Sequence, residues 1–556
     1  MRNTIITTLT IVAISAAAIA ADWPEWGRNP SRNMIAPEAK NLPSTWEAGE
    51  RDSDGITDMA TTKNIKYVAK LGSQSYGNPV VADGRVYVGT NNDSPRDKRF
   101  QGDYALLYCL DEKTGNLIWQ FSAPKTGEGK VGDWEYLGIC SSPTVEGNRA
   151  YFVTNRHEVV CVDVEGMANG NDGPFKDEGK YMAGMGTPKP PMEVKPTDAD
   201  IIWTFNLNEE LGVFCHNITS SAVLVVGDLV FAQTSNGVDW SHTNIPNPKA
   251  PSLVCLDKKT GKLMGEEISG LGTRILHGGW SSPAAGEVNG KQLVFFGGPD
   301  GIVYAFDAKP EKDPEEPDFD ILKEVWRCDG NLPSFRKDKN GKPIKYVRPD
   351  GPSEYIATPV FHNNRVYIPI GQDPEHGEGV GRLMCVDATK TGDISKTGVI
   401  WDYTGINRSI STVAVHDGLV YAADYSGWVH CVDSETGKLQ WRHDTLAHIW
   451  GSTLVADGKV YLGNEDGIVT VFNVAAMKDL VKQYGTGFKC VVQGGKLAIT
   501  DAAGKTVKLE KADSAKYLTE VEMPGAVLSS AIVANDVLYI ATGSHLYAIQ
   551  QKGTQN

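Results

Sequence analysis

The chain has 556 residues, and its 69 Asp and Glu against 54 Lys and Arg give a formal net charge of −15. That balance, with no basic run, excludes nucleic acid and anionic membrane surfaces as main partners, since both demand a dense positive face. Length alone would admit several domains, but an internal repeat overrides that expectation.

Residues 1–20 read as a secretory signal peptide. Arg2 supplies the positive start, Ile5 to Ala20 the apolar stretch, and Ala18-Ile19-Ala20 the small-x-small cleavage site. The stretch is rich in Thr, Ser and Ala, whereas a membrane span needs about 20 strongly apolar residues. No membrane anchor is therefore expected, and with the first cysteine at Cys109 there is no lipidation site near the cleavage point. The expected location is periplasmic or secreted. Residues 21–62, opening DWPEWGRNPSRN, are aromatic and polar without periodicity, and are expected to form an ordered arm packed on the body that follows.

Residues 65–71 (IKYVAKL) form one strand with no sheet of its own. Then a pattern repeats. Openings such as GNPVVADGRVYVGT and STVAVHDGLVYAA recur near Gly77, Ser141, Ser220, Ser281, Ala357, Ser411, Gly451 and Ser529. The unit is clearest at 411–442. Three apolar runs close at Asp417-Gly418, Ser426-Gly427 and Asp433-Ser434-Glu435-Thr436-Gly437, and a fourth run holds Trp441. Short runs rich in Val, Tyr and Trp, cut by such turns, are antiparallel strands joined by hairpins. One four-stranded sheet has two open faces and must stack on copies of itself.

Three features of the repeat have a structural logic. The Asp-x-x-Thr-Gly turn recurs at Asp111, Asp257 and Asp433; its carboxylate accepts backbone N–H groups and its Gly supplies the positive φ. Trp119, Trp203, Trp326, Trp401 and Trp441 sit on outer strands, where a large ring fills the widening gap between sheets. Cys109, Cys161, Cys255, Cys385 and Cys431 share one slot of the third strand. Equivalent slots of stacked sheets lie about 10 Å apart, too far for a disulfide, so these five read as small buried hydrophobes.

The last repeat has three strands before the chain ends, so the strand at 65–71 is expected to supply its fourth. The expected fold is all-β: an eight-bladed β-propeller of four-stranded antiparallel blades over 63–551, its ring closed by an N-terminal strand, with a short tail at 552–556. Long insertions at 165–200, 308–320 and 475–517 fall between third and fourth strands and leave from one face. The links between blades build the opposite face and the channel mouth. They carry the candidate ligand-binding residues Trp134, His216, Asn217, His277, Trp280, Tyr355, Arg408 and Trp450.

The repeat resembles the pyrroloquinoline-quinone (PQQ)-type propeller repeat, on motifs such as Asp433-x-x-x-Gly437-Lys438-x-x-Trp441. The resemblance implies the eight-bladed fold for nearly the whole mature chain. It implies one of two functions: quinoprotein dehydrogenase, or non-catalytic scaffold such as the propeller subunit of the outer-membrane β-barrel assembly machinery. On the first, PQQ and Ca²⁺ would occupy the mouth, with Asn236 of Ser235-Asn236-Gly237 standing at a metal-ligand position. The following stretch, His277-Gly278-Gly279-Trp280, lacks the carboxylate base those enzymes carry there, and Cys140-Ser141 offers one cysteine where they pair two. The expected function is thus an exported, non-catalytic scaffold for an envelope protein, a small molecule or a glycan; the alternative is a PQQ- and calcium-dependent dehydrogenase of alcohols or sugars.

Overall fold

The computed structural model describes residues 21–184, 189–371 and 374–551; the expected signal peptide at 1–20 and tail at 552–556 lie outside the described residues. Seven sheets each draw four antiparallel strands from one contiguous stretch of chain. Their innermost strands are Val80–Ala82, Thr144–Glu146, Leu224–Val226, Ala284–Val288, Val360–His362, Ala414–His416 and Leu454–Ala456. An eighth sheet joins the two ends of the chain. Ile532–Ala534, Val537–Ala541 and His545–Ile549 form three of its strands, and Ile65–Lys70 pairs antiparallel with the last, Val68 opposite Tyr547. The early strand closes the ring as expected. Blades are numbered here in chain order by these sheets.

A series of hydrogen bonds near the axis ties five of the blades each to the next. It uses the residue two before each innermost strand, which is why that position is Ser, Thr or Asn in all blades but the third. Thr358 N donates to Thr412 Oγ1 (3.3 Å), Thr412 N to Ser452 Oγ (2.9 Å) and Ser452 N to Ser530 Oγ (2.8 Å). Ser530 N then donates to Asn78 Oδ1 (2.6 Å), so the last blade is bonded to the first.

At the rim, the outer-strand tryptophan of one blade lies on the turn of the following blade. Trp119 Nε1 donates to Val164 O (2.8 Å) and Trp401 Nε1 to Ser434 O (2.9 Å). Gly437 shows why the turn ends in glycine: it has φ +67°, and a Cβ there would stand 2.5 Å from the Trp401 ring. The turn carboxylates act as expected, Asp433 Oδ1 accepting from Thr436 N (2.9 Å) and Thr436 Oγ1 (2.7 Å). All nine cysteines are free thiols.

Insertions between third and fourth strands cover the edge of the preceding blade. Asp320–Leu322 pairs parallel with Leu263–Glu267, and Gly392–Asp393 with Glu324–Asp329. Phe488–Gln493 pairs parallel with Leu439–Asp444 and carries two more strands outward. Gln120 forms a parallel bridge to Asp198. Four of the outer edges on which an added strand could grow are therefore occupied.

The arm at 21–62 is ordered, and its first part threads through the ring. An innermost strand has one edge facing the channel, where its N–H groups need partners. The arm supplies them in turn. Val81 N donates to Trp23 O (2.9 Å), Val145 N to Pro24 O (2.8 Å), Ala285 N to Pro30 O (2.6 Å), Phe361 N to Ser31 O (3.0 Å) and Val455 N to Met34 O (3.0 Å). Val415 N donates to Asn33 Oδ1 (2.8 Å). Arg32, 0% exposed, reaches the third blade through Nη2 to Val223 O (2.8 Å) and the fourth through Nε to Pro283 O (3.0 Å). Its Nη1 donates to Glu25 Oε2 (2.6 Å) and Trp26 O (2.6 Å). The arm thereby plugs the channel at one end among the described residues.

Candidate functional site at the channel mouth

The channel above the plug narrows to a cavity of ≈ 180 Å³ whose wall includes Trp26 and the small polar residues that bond blade to blade. Trp26 Nε1 donates to Thr358 Oγ1 (3.0 Å), which fixes the indole across the axis. Above it the channel widens into a mouth cavity of ≈ 530 Å³. Five aromatic side chains line it: Tyr76, Trp134, Trp280, Tyr425 and Trp450. Their rings are held at angles to one another. Trp450 lies 5.7 Å from Tyr76 at 58° and 5.7 Å from Tyr425 at 87°. Trp280 Nε1 donates to Ile218 O (3.0 Å) and Trp450 Nε1 to Glu465 Oε2 (3.2 Å), so the indole edges are anchored where they line the cavity.

The inter-blade links that carry these rings are knitted together. Trp134 N donates to Asn217 O (3.1 Å) and Asn217 N to Val131 O (2.5 Å). The loop following Arg365–Ile370 reaches over to the first link, where Lys130 Nζ lies 2.7 Å from Glu375 Oε1 and 4.0 Å from the centre of the Trp134 ring. Glu375 is the one carboxylate among the described lining residues. Burial pushes the Cys140 thiol and the Tyr76 hydroxyl each up to about 12, so neither is an anion at neutral pH.

Behind Trp280 lies a group of imidazoles. The Trp280 ring is 5.2 Å from His277 and 6.0 Å from His216. His216 and His277 arrive on the links into the third and fourth blades, and 235–238 runs between them. His216 N donates to Ser235 O (3.1 Å) and Val238 N to His277 O (2.8 Å). The approach requires Gly237, because a Cβ there would stand 2.5 Å from the His216 Cβ. His242, on the loop after Leu229–Gln233, brings its ring to 5.1 Å from His277. His376, on the loop after Arg365–Ile370, brings its ring to 4.6 Å from His277.

The structure thus gathers Trp134, Asn217, Trp280 and Trp450 around the mouth cavity and sets His216 and His277 behind it. It puts three other residues named from the sequence elsewhere. Tyr355 is 0% exposed within the apolar core between blades. Arg408 is buried under the mouth loops, its Nη2 donating to Arg348 O (2.8 Å) and its Nη1 to His376 O (3.4 Å); burial lowers its pKa. Asn236 is buried, its Oδ1 accepting from Phe214 N (3.1 Å) and its Nδ2 donating to Asn247 O (3.0 Å). Sequence reasoning missed Tyr76, Tyr425, His242 and His376. The two histidines sit on loops with no repeat signature, and only their residue type marked them.

A calcium–quinone pair does not fit this donor set. Ca²⁺ takes six to eight oxygen ligands, carboxylates prominent among them. The described lining offers Glu375 alone, already paired with Lys130, while Asn236 gives its amide to the backbone.

The family model described as outer membrane protein assembly factor BamB matches residues 46–312 and 373–480, more than half of the chain. Quinoprotein alcohol dehydrogenase PedH of Pseudomonas putida is 27% identical over 164 residues, covering 27% of this chain and 25% of that protein. Tetrathionate hydrolase of Acidithiobacillus ferrooxidans is 23% identical over 471 residues, covering 81% of each. Among solved structures, quinohemoprotein alcohol dehydrogenase ADHIIG from Pseudomonas putida HK5 matches with a TM-score of 0.54 at 11% identity, over 98% of this chain and 82% of that one. At that identity the likeness speaks for the fold alone.

Proposed function

This chain belongs to the BamB-like family of PQQ-type propeller repeat proteins, and from that premise we propose that it is a non-catalytic scaffold of the cell envelope that binds a small ligand, a glycan, in its channel mouth. Each of the eight sheets counts in this reading as one blade of an eight-bladed ring. The observation that carries it is the aromatic mouth cavity of ≈ 530 Å³ above a plugged channel. Its volume falls in the range of about 300–1,000 Å³ usual for small-molecule sites. Anchored indoles stack well on the apolar face of a sugar ring. Protein capture by strand addition is less well supported, because insertions occupy four outer edges. Catalysis is unsupported by the lining, whose described carboxylate is ion-paired and whose Cys140 thiol and Tyr76 phenol stay un-ionised.

The dehydrogenase reading has one observation in its favour, the identity to PedH over part of the chain. A thermal-shift screen of oligosaccharides, and of PQQ with Ca²⁺, decides between the two. A glycan at about 100 times its Kd should stabilise the protein by ~2.7 kcal/mol, and Trp450→Ala should abolish that gain. Stabilisation by PQQ with Ca²⁺, together with dye reduction by an alcohol, would overturn the scaffold reading.

A further inference from the structure

The histidines behind the mouth have the composition and the setting of a metal centre. Ligand nitrogens of His216, His242 and His277 all lie within 4.8 Å of one another. Paired ring contacts are common in cores, but three imidazoles from three separate segments meeting in one spot are not explained by packing. His216 and His277 are buried and His242 is half-buried, so the group has an inner and an outer side.

The surroundings orient the rings. His216 Nδ1 lies 2.5 Å from Val238 O, and a carbonyl only accepts, so the proton is on Nδ1 and Nε2 is the lone-pair nitrogen. His277 Nδ1 lies 3.5 Å from Glu354 Oε1. Glu354 is 0% exposed, and neither of its carboxylate oxygens has a hydrogen-bond partner among the described residues. A buried carboxylate in that state is stabilised by positive charge, of which the Arg408 guanidinium is one source. The Val238 carbonyl behind His216 holds that ligand in place and raises its basicity, and Glu354 sets a carboxylate beside His277 Nδ1. The outer histidine is presented by a tight turn. Asp239 Oδ1 accepts from Ser241 N (2.9 Å), and His242 follows with φ +56°.

We propose that His216, His242 and His277 bind one divalent transition-metal ion, with Zn²⁺ and Cu²⁺ as the ions of matching chemistry. Neutral imidazole suits both, whereas the oxygen-loving Ca²⁺ and Mg²⁺ do not bind a nitrogen-only set. His376 stands beside the group, its ring 4.6 Å from His277. Arg408 positions that residue by donating to its carbonyl (3.4 Å). The site differs in donor type from Asn236, which lies on the 235–238 segment between two of the histidines, and it does not depend on a glycan occupying the mouth.

The test uses the full chain stripped with a chelator and dialysed, then titrated with ZnCl₂ or CuCl₂ by calorimetry, with bound metal counted by mass spectrometry. About one equivalent should bind. The Cu²⁺ form should show nitrogen hyperfine structure in its electron paramagnetic resonance spectrum. His242→Ala, on the half-buried side, should weaken binding by at least ~100-fold while circular dichroism stays unchanged. Glu354→Gln should weaken it by ~10–100-fold, and His416→Ala, in a distant hairpin, should have no effect. Sub-stoichiometric binding, a spectrum without nitrogen coupling, or unchanged affinity in His242→Ala would each overturn the proposal. Glycan binding in the mouth is read separately by thermal shift, so failure of either idea leaves the other measurable.

Discussion

Replacing Arg32 by Met tests whether the arm holds the ring together. In the folded protein Arg32 is fully buried and bonds Glu25, Trp26 O, Pro283 O and Val223 O. Met keeps the volume of the stem and removes every donor. Breaking a buried ion pair by deleting one partner costs about 3–5 kcal/mol, because the other charge stays buried alone. The expected loss is therefore ~3–5 kcal/mol in urea unfolding followed by tryptophan fluorescence. The loss should depend on pH in a defined direction. Burial already raises the pKa of Glu25, and Arg32 opposes that rise. Without Arg32 the folded-state pKa goes higher still. A raised carboxyl pKa gives stability that is present at low pH and lost as pH rises through the folded value. Arg32→Met should thus be less destabilised at pH 4.5 than at pH 8, and adding Glu25→Gln should recover part of the loss at pH 8. A single variant within ~0.5 kcal/mol of the parent, or a double variant as weak as the sum of the two singles, would refute the reasoning.

Two other outcomes follow from the same packing. Trp119→Ala removes a fully buried ring that lies 5.9 Å from Tyr87 and donates to Val164 O, and should cost ~3–5 kcal/mol by urea unfolding; a loss under ~1 kcal/mol would show the rim indoles to be dispensable. Burial lowers His443 to about 3 and His545 to about 4, so below pH 6.5 the unfolded chain takes up protons that the folded chain does not. Stability should fall as pH drops from 6.5 towards 4, and His443→Leu should flatten that fall by ~1.4 kcal/mol per pH unit. An unchanged slope would contradict this.

The blades were legible because their information is local. Alternating apolar runs, Asp-Gly turns and the Asp-x-x-Thr-Gly signal each act over a few residues, and so does the strand at 65–71 whose missing sheet pointed to ring closure. The cysteine slot was legible for the same reason, since equivalent positions in stacked sheets cannot meet, and all nine thiols are free. The arm was legible as ordered but not in its path. Trp23, Arg32 and Asn33 take their places from strand edges hundreds of residues away, and no periodicity records that. The mouth was half legible. Link residues do converge there, but the direction of each side chain depends on its neighbours. Trp280 and Trp450 face the cavity, whereas Tyr355, also on a link, turns into the core between blades. His242 and His376 lay on second-to-third loops, whose reach across the mouth is set by tertiary contacts such as the Lys130–Glu375 pair.

The most direct measurement is a difference map from crystals soaked with a panel of oligosaccharides and with PQQ plus Ca²⁺. The account predicts sugar density against Trp134, Trp280 and Trp450, with nothing beneath Trp26. Density for a quinone and calcium in that cavity, or sugar bound only on the outer faces of the blades, would contradict it.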